Sequence, residues 1–283
     1  MFFIRLISRL PLSILYGLSF IFYVVMNYIV GYRKKVITEN MKICFPEKSE
    51  QEIRRLRKGF YKNLSYVFVE IMKTLTISKE ELMRRCKTTI SPELQKHLDN
   101  GGSMLYTGGH ICNWEWYMPL FTLYSGVINA PLYKPVNSPF FEKLMFKLRS
   151  RFGVTPLPMQ TALREIIKNK KEQRSYGFGT DQSPQKGKSN YFPEFFGIKT
   201  PFYVGVDQMA KKLQYPVAYG SMKRVKRGYY TYEVSMLAST PHEVGEKGEH
   251  IIIEKFIERL EQDIKDSPTD WLWSHRRFKH SVR

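Results

Sequence analysis

A long uncharged stretch near the N-terminus constrains the fold of this chain more than any other feature. The 23 residues from Leu10 to Tyr32 are mostly aliphatic or aromatic, and none carries a charge. As a helix they would extend about 34 Å, which is enough to cross a bilayer core of about 30 Å. We therefore expect residues 1–35 to form a membrane anchor and residues 36–283 to form the body of the protein.

A cleaved signal peptide and a buried core helix are the alternatives to a membrane anchor. The stretch is longer than a signal peptide requires, and no small-residue cleavage site precedes Gly31. Pro11 and Gly17 allow a tilted or partly interfacial helix. The sequence therefore leaves open whether the anchor spans the membrane or lies in it.

The chain is strongly basic, with 45 Lys and Arg against 26 Asp and Glu and a formal net charge of +19. Such a charge favours an acidic partner, which could be nucleic acid, anionic lipid head groups or an acidic protein. Nucleic acid is disfavoured, because the basic residues are dispersed and no nucleic-acid motif is present. Arg5 and Arg9 precede the apolar stretch, whereas Arg33, Lys34 and Lys35 follow it. The larger basic mass lies after the stretch, so the positive-inside tendency places the body in the cytoplasm.

Beyond the anchor, the hydrophobic pattern alternates between strand-like and helix-like segments. The predicted strands are residues 103–107, 126–133, 174–180 and 229–237. The predicted helices are residues 49–73, 91–100, 113–124, 138–153, 159–171 and 248–266. This alternation predicts an α/β domain with a central, mostly parallel sheet flanked by helices. A Pro-, Gly- and Lys-rich loop over residues 181–201 is too long to be a passive connection, and loops of this size are often functional.

A histidine follows two glycines directly after the first predicted strand. His110 comes after Gly108 and Gly109, and Glu115 lies five positions further on. On one continuous helix these two side chains would be about 140° apart and could not meet. We therefore expect His110 on the loop that leaves the strand and Glu115 on the first turn of the next helix. The chain could then fold back so that the carboxylate accepts a hydrogen bond from one ring nitrogen.

This arrangement would leave the second ring nitrogen free to take a proton from a substrate hydroxyl. The loop at Gly108, Gly109 and Asn113 and the helix N-terminus would favour negative charge, such as a phosphate or a developing oxyanion. The alternative is a histidine satisfied by packing beside a surface glutamate, because a histidine and an acid at this spacing occur often by chance. No second histidine sits at i+3 or i+4 from His110, so the spacing predicts no metal site.

Residues 108–116, at a strand-to-helix turn, resemble the G-H-x-x-N-W-E signature of the late lipid A biosynthesis acyltransferases. These lauroyl- and myristoyl-type bacterial enzymes are a branch of the glycerolipid acyltransferase superfamily, which has an H-x4-D/E motif. Five further segments resemble blocks of the same family in the same order: 31–52, 133–144, 179–183, 195–200 and 271–279. Blocks in a shared order over nearly the whole chain are far more specific than any one of them.

The resemblance implies acyl transfer from a thioester, either acyl carrier protein or acyl-CoA, to a hydroxyl of a phosphorylated lipid A precursor. His110 would be the general base and Glu115 would orient it. Neither a covalent acyl-enzyme nor a cofactor is implied, so Cys112 is expected to be a small buried residue. The resemblance also implies a bacterial inner-membrane protein, with its catalytic domain on the cytoplasmic face against an anionic membrane surface. A lysophospholipid or another glycolipid is the alternative acceptor, and a non-catalytic basic protein is the remote alternative.

The matched blocks also supply candidates for substrate binding, namely Lys134, Asp181, Gln182, Phe195, Phe196, Gly197, Thr200, Arg276 and Arg277. Lys134 replaces an arginine of the family and cannot make its planar bidentate contact. Asp181 and Gln182 follow a predicted strand, where α/β sites collect, and would position the acceptor or the catalytic loop; a turn-capping role is the alternative.

Segment 195–200 could line an acyl slot, with Thr200 closing the loop, or it could be plain core. The two adjacent arginines, Arg276 and Arg277, could hold a phosphate or pack the C-terminal segment. For each of these candidates the sequence leaves both interpretations open.

Overall fold

The computed structural model describes residues 2–187, 189, 191–240 and 250–282. Within these residues the α-helices are α1 (Phe2–Arg9), α2 (Leu12–Val24), α3 (Lys34–Cys44), α4 (Glu50–Lys73), α5 (Lys79–Arg85), α6 (Pro92–Asp99), α7 (Tyr117–Ser125), α8 (Pro139–Arg149), α9 (Ala162–Lys168), α10 (Gly205–Leu213) and α11 (Ile251–Asp266). The strands are β1 (Cys86–Ile90), β2 (Met104–Gly108), β3 (Ile128–Tyr133), β4 (Leu157–Pro158), β5 (Arg174–Gly179), β6 (Glu194–Phe195), β7 (Ile198–Lys199), β8 (Val217–Lys226) and β9 (Tyr229–Ala238).

A seven-stranded sheet with the order β1-β9-β8-β2-β5-β3-β4 forms the centre of the molecule. Its neighbouring strands are parallel except for β8 and β9. Those two strands are antiparallel because a two-residue turn ending at Gly228, with φ of +74°, joins them directly. The predicted α/β class with a mostly parallel sheet is therefore confirmed.

The four predicted strands are present as β2, β3, β5 and β9, with ends that shift by one or two residues. Strands β1 and β8 were not predicted, although β8 lies beside β2 in the middle of the sheet. The long loop contains the short antiparallel pair β6 and β7. The predicted helix 248–266 begins at Ile251, and residues 248–249 lie outside the described residues.

Helix α4 begins with a capping box formed by Ser49 and Glu52. The Ser49 backbone N–H donates to Glu52 at 2.8 Å, and the Ser49 hydroxyl accepts from the Glu52 amide at 3.3 Å. These reciprocal bonds satisfy backbone groups that a helix start leaves without partners. They fix where α4 begins, and α4 in turn carries side chains that reach the site described below.

Helix α11 covers the sheet where the β2 turn begins. Leu260 on α11 is fully buried. A Cβ atom built on Gly109 would lie 2.5 Å from the Leu260 Cδ1 atom, far closer than such atoms can approach. The Leu260 side chain therefore packs on the backbone at Gly109, and a Cβ atom there would force this side chain to shift.

The apolar N-terminal stretch forms α2, which packs along α4. Leu12, Leu15 and Tyr16 are buried there together with Val69 of α4. The opposite face of α2 is exposed and apolar, with Ile14, Leu18, Phe20, Ile21 and Phe22. Within the described residues, one helical segment, 12–29, is long and apolar enough to cross a membrane by length and composition.

The contact between α11 and the β2 turn predicts the effect of Leu260→Ala. Removing this buried side chain leaves a cavity, and we expect the free energy of unfolding to fall by about 2–5 kcal/mol. Urea denaturation of the purified protein in detergent measures it. The matched control is Glu258→Ala on the exposed side of the same helix, which should change stability by no more than about 0.5 kcal/mol. Equal effects of the two substitutions would contradict the packing described here.

Candidate active site

The carboxyl ends of β2 and β5 meet at one edge of the sheet. The two strands pair in parallel with Gly108 opposite Gly179, so the chain leaves both strands on the same side. His110 follows β2, and Asp181 follows β5. A Cβ atom on Gly179 would lie 3.2 Å from the His110 Cε1 atom, so the glycine lets the ring settle on the strand end. Such an edge is where ligands bind in open α/β sheets.

His110 and Asp181 form a hydrogen-bonded pair. The His110 Nδ1 atom lies 2.5 Å from Asp181 Oδ1, and the His110 backbone N–H donates to Oδ2 at 2.8 Å. The Trp271 indole N–H donates to the same Oδ2 atom at 2.9 Å. Three donors therefore surround a carboxylate that is 3% exposed, as a buried charge requires.

The pairing shifts the pKa of both groups. Burial alone would raise the pKa of Asp181, but the His110 charge and the hydrogen bonds outweigh it and hold the pKa well below its usual range. Burial would lower the pKa of His110, yet the Asp181 carboxylate outweighs it and raises the pKa above its usual value. An ionised carboxylate can only accept, so His110 Nδ1 carries the proton. The neutral ring therefore has its lone pair on Nε2.

Gln182 and Trp114 lie beside the His110 ring. The Gln182 Nε2 atom lies 3.4 Å from His110 Nε2, and the Trp114 ring centroid lies 5.5 Å from the histidine ring. The His110 side chain is 20% exposed. Asp181 is buried, so the partly exposed His110 ring is the part of the pair that solvent reaches.

The predicted hydrogen bond between His110 and Glu115 is wrong. The Glu115 carboxylate instead accepts two bonds from the Arg149 guanidinium, at 2.8 and 2.6 Å. Glu115 is nearly buried, and a planar guanidinium compensates a buried carboxylate with two parallel donors. Burial would raise the pKa of Glu115, but Arg149, followed by the charge of His110, lowers it. Asp181 already occupies the ring nitrogen that Glu115 was expected to bind.

The C-terminal block, residues 271–279, forms one wall of the site. Besides the Trp271 bond to Asp181, residues Ile111 and Trp271 form an antiparallel bridge. The Ser183 backbone N–H donates to His275 Nε2 at 2.8 Å. Burial lowers the pKa of His275, which matches its role as an acceptor. The last residues of the described chain therefore hold both the turn after β2 and the loop after β5.

Segment 195–200 lies in the core beside this wall. Phe195 is fully buried and packs against the rings of Phe202, Trp271 and Phe278 at centroid distances of 5.5–5.9 Å. Phe196 and Gly197 form the left-handed turn between β6 and β7, with φ of +50° and +70°. The buried Thr200 hydroxyl lies 2.9 Å from the Ser281 hydroxyl. These contacts are those of packed core.

The adjacent arginines of the C-terminal block have different environments. Arg277 is fully buried, lies over the Phe202 ring at 3.9 Å, and donates to the Pro201 carbonyl at 2.9 Å. Burial lowers its pKa to about 9. Arg276 is exposed, and so is Lys134 just after β3. Exposed cations can meet a ligand, whereas Arg277 packs the C-terminal segment.

Contacts with α4 and β8 hold the turn between His110 and Glu115. Asn113 is fully buried, and its amide donates to Glu70 of α4 at 2.9 Å. Cys112 has a left-handed backbone with φ of +53°, and its thiol donates to the Met222 carbonyl at 3.3 Å. The predicted helix start at Asn113 is a short 3-10 turn, Trp114–Trp116, before α7. In the part of the chain that the structure describes, no group of three His, Cys, Asp or Glu is placed to hold a metal ion.

Comparison with protein-family models matches the chain to the bacterial lipid A biosynthesis acyltransferases over residues 1–280. The family match covers nearly the full length of the chain. The protein that carries this histidine at the carboxyl edge of a parallel sheet is therefore an acyltransferase. The chain is a member of the bacterial lipid A biosynthesis acyltransferase family, which gives it a role in lipid A synthesis. No curated protein sequence matches the chain.

Sequence reasoning identified His110, Glu115, Asp181 and Gln182, but it paired His110 with Glu115, whereas the structure pairs it with Asp181. It missed Arg149, because 34 residues separate it from Glu115 and no local spacing marks the pair. It also missed that Trp271 contacts Asp181, although the resemblance had singled out the block that contains this tryptophan.

The pairing with Asp181 predicts how the His110 ring titrates. Asp181→Asn removes the carboxylate that favours the imidazolium, so we expect the His110 pKa to fall. Nuclear magnetic resonance of the ring signals during a pH titration measures it. Asp207→Asn is the matched control, because Asp207 Oδ1 lies 2.9 Å from His250 Nδ1, in another histidine–aspartate pair. That control should leave the His110 titration unchanged; an unshifted His110 in Asp181→Asn would exclude the pairing.

Proposed function

We propose that the protein transfers a fatty acyl chain from an acyl thioester to a hydroxyl of a lipid A precursor, with His110 as general base. The observation that carries the proposal is the His110–Asp181 pair, with Nδ1 bound to the carboxylate and the ring partly exposed, in a chain that matches the family over residues 1–280. Asp181 orients the ring in this proposal, the part that the sequence had assigned to Glu115.

The reaction follows from this geometry. The acceptor hydroxyl gives its proton to His110 Nε2 while its oxygen attacks the thioester carbonyl carbon, which forms a tetrahedral oxyanion. Asp181 stabilises the imidazolium that results. The carbonyl then re-forms, the carbon–sulfur bond breaks, and the leaving thiolate takes the proton from the imidazolium. One ester forms and one thioester is consumed, so the step requires no additional reactant.

No covalent acyl-enzyme is part of this proposal. The candidate nucleophile nearest in sequence, Cys112, is buried, and burial raises the pKa of its thiol well above the usual value. A thiol with a raised pKa forms little of the reactive thiolate. Direct attack by the acceptor hydroxyl is therefore favoured.

Glu115 and Arg149 are proposed to act beside the base. The Arg149 charge acts on the His110 ring and disfavours its protonated form, while Glu115 opposes that effect. We assign Arg149 to the developing oxyanion, with Glu115 fixing the guanidinium plane through its two bonds. Backbone amides of the turn that includes Gly108 and Gly109 would add to this stabilisation of the oxyanion. The Asn113 side chain would not, because it is already bound to Glu70.

The charge distribution supports an acidic donor and a phosphorylated acceptor. The net charge of +19 would attract acyl carrier protein, which is acidic, more strongly than a neutral surface would. Exposed Lys134 and Arg276 are the candidates for contact with acceptor phosphates. Phe195 and Arg277 are assigned to packing because both are fully buried among aromatic rings.

We place the protein on the cytoplasmic face of the inner membrane, with α2 lying in the interface rather than across the bilayer. One face of α2 packs on α4, and the Arg227 guanidinium lies 4.9 Å from the ring centroid of Tyr16, in the second turn of the helix. A charge in the hydrocarbon core is costly, whereas arginine is favoured at anionic head groups. The exposed face with Ile14, Leu18 and Ile21 would then enter the acyl region.

The mechanism predicts the result of His110→Ala. Transfer should fall by about 100-fold or more, because general-base catalysis contributes that much, while the melting temperature should stay close to that of the native protein. Acyl carrier protein charged with a fatty acid, or the matching acyl-CoA, is mixed with a detergent-solubilised lipid A precursor, and the product is weighed by mass spectrometry. A lysophospholipid in place of the precursor tests the alternative acceptor. Transfer at native rates by the variant would end the general-base assignment.

The raised pKa of His110 predicts the pH dependence. The base acts in its neutral form, so kcat/KM should rise with pH and level off above the His110 pKa. That pKa lies above the ordinary value of about 6.5. The pH at which kcat/KM is half-maximal should therefore also lie above about 6.5. In Asp181→Asn the rising part of the kcat/KM profile should move to lower pH, and the plateau value of kcat/KM should fall. A profile that is flat between about pH 6 and 9 would contradict the assignment.

A further inference from the structure

We propose that Glu70 is a positioning residue for acyl transfer, because it holds the turn that carries His110 and Glu115 and links this turn to the N-terminal helix α2. The catalytic part of this inference rests on the proposed function. Its structural part, the link between helix and turn, stands on contacts outside the base pair and can be measured without the reaction.

The Glu70 carboxylate joins three separate elements. It is fully buried on α4. Its Oε1 atom accepts from the Tyr16 hydroxyl of α2 at 2.9 Å. Its Oε2 atom accepts from the Asn113 amide at 2.9 Å and from the Tyr230 hydroxyl of β9 at 2.6 Å. Asn113 lies between His110 and Glu115 in the chain, so this bond acts on the backbone between the two proposed functional side chains.

The last turns of α4 hold the same segment at a second point. The Trp116 indole N–H donates to the Thr74 hydroxyl at 2.9 Å, and that hydroxyl donates to the Glu70 carbonyl at 3.0 Å. Glu115 therefore lies between two residues that are both tied to the end of α4. A shift of this end would move the carboxylate that holds Arg149.

A charged side chain at this place needs a reason, because a buried carboxylate is costly unless its partners compensate it. Burial raises the pKa of Glu70, while the charge of Arg224 and the bonds from its three partners oppose the shift. Arg224 donates to the Tyr230 hydroxyl at 2.7 Å and to the Asp270 carboxylate at 2.9 Å. A well-packed apolar side chain would fill the core at no such cost. What the carboxylate adds is acceptance of three hydrogen bonds in fixed directions.

The Tyr16 hydroxyl brings the position of α2 into this network. The outer face of α2 is apolar and exposed, and the inner face rests on α4. A bilayer that covers the outer face would favour the seated helix and keep the hydroxyl on Glu70. If α2 separates from α4, the buried Oε1 atom of Glu70 loses the Tyr16 hydroxyl as its donor. Seating of the helix therefore acts on the turnover step, whereas the binding of a soluble donor does not depend on it.

Two tyrosine-to-phenylalanine variants of the full chain in phospholipid nanodiscs test the link. Tyr16→Phe removes the bond to Glu70 and keeps the ring. We expect kcat to fall about tenfold, the effect of losing one hydrogen bond to a buried charge, with KM for the acyl donor unchanged. The matched control is Tyr61→Phe, because Tyr61 is also fully buried and its hydroxyl ties α4 to the Tyr32 carbonyl at 2.7 Å. The control should lower the melting temperature to a similar extent while kcat stays within about twofold.

Exchange of donor and acceptor provides a second test. Asn113→Asp places a second carboxylate against Glu70, so it should lower kcat by more than Tyr16→Phe does. The double variant Glu70→Gln with Asn113→Asp again sets an amide donor against a carboxylate acceptor, so it should recover kcat at least about tenfold over Asn113→Asp alone. A merely structural role would instead give losses that follow the melting temperatures and simply combine.

Hydrogen–deuterium exchange separates this inference from the proposed function. In Tyr16→Phe the amides of residues 108–117 should exchange several-fold faster than in the native protein, and in Tyr61→Phe they should not. If the native protein transfers no acyl group to any acceptor, the proposed function fails, and the exchange data alone then decide whether the helix is linked to the turn. Native exchange rates over 108–117 in Tyr16→Phe would overturn the inference.

Discussion

The site depends on one ionised carboxylate that is buried at the edge of a parallel sheet. Asp181 is stable there because three donor groups from two residues reach it: the His110 ring, the His110 backbone and the Trp271 indole. The two residues are fixed by different parts of the fold. The strand pairing sets His110 opposite the loop after β5, and the C-terminal segment supplies the indole. The chemistry of the ring is therefore a property of the whole sheet edge rather than of one motif.

The same requirement explains why the acid of the H-x4-E motif contacts a guanidinium. Two carboxylates on one imidazole would repel each other in a site with little water. Asp181 takes the ring, and Glu115 is compensated by Arg149 from α8. The result is two separate pairs, Asp181–His110 and Glu115–Arg149, in which each buried carboxylate has its own donor partner.

The fold could be predicted from the sequence further than the contacts could. Alternating hydrophobic segments mark β2, β3, β5 and β9, because burial of a strand requires a local run of apolar side chains. The turn at Gly108 and Gly109 similarly marks His110 as the residue that leaves the strand. The partner of His110 depends on which strand lies beside β2, however, and that choice is made by pairing between segments about 70 residues apart. Glu115 was the carboxylate nearest in sequence, and Asp181 is nearest in space.

The match of the chain to one family over residues 1–280 gives the reaction class, while the contacts of individual side chains distinguish among roles within it. Phe195 and Arg277 lie in blocks that resemble the family, yet both side chains are buried and pack in the core. Asn113 is likewise occupied below the turn. Membership in a motif and exposure at the surface are therefore separate properties, and His110, Gln182, Lys134 and Arg276 are at least partly exposed.

The contact of Gly109 with Leu260 has a consequence for how the chain can vary. The space beside the backbone at position 109 is filled by a methyl group that belongs to a helix about 150 residues away. These two positions share a single volume, so neither can grow unless the other shrinks. Because His110 is the next residue, a larger side chain at either position would disturb the backbone that carries the imidazole.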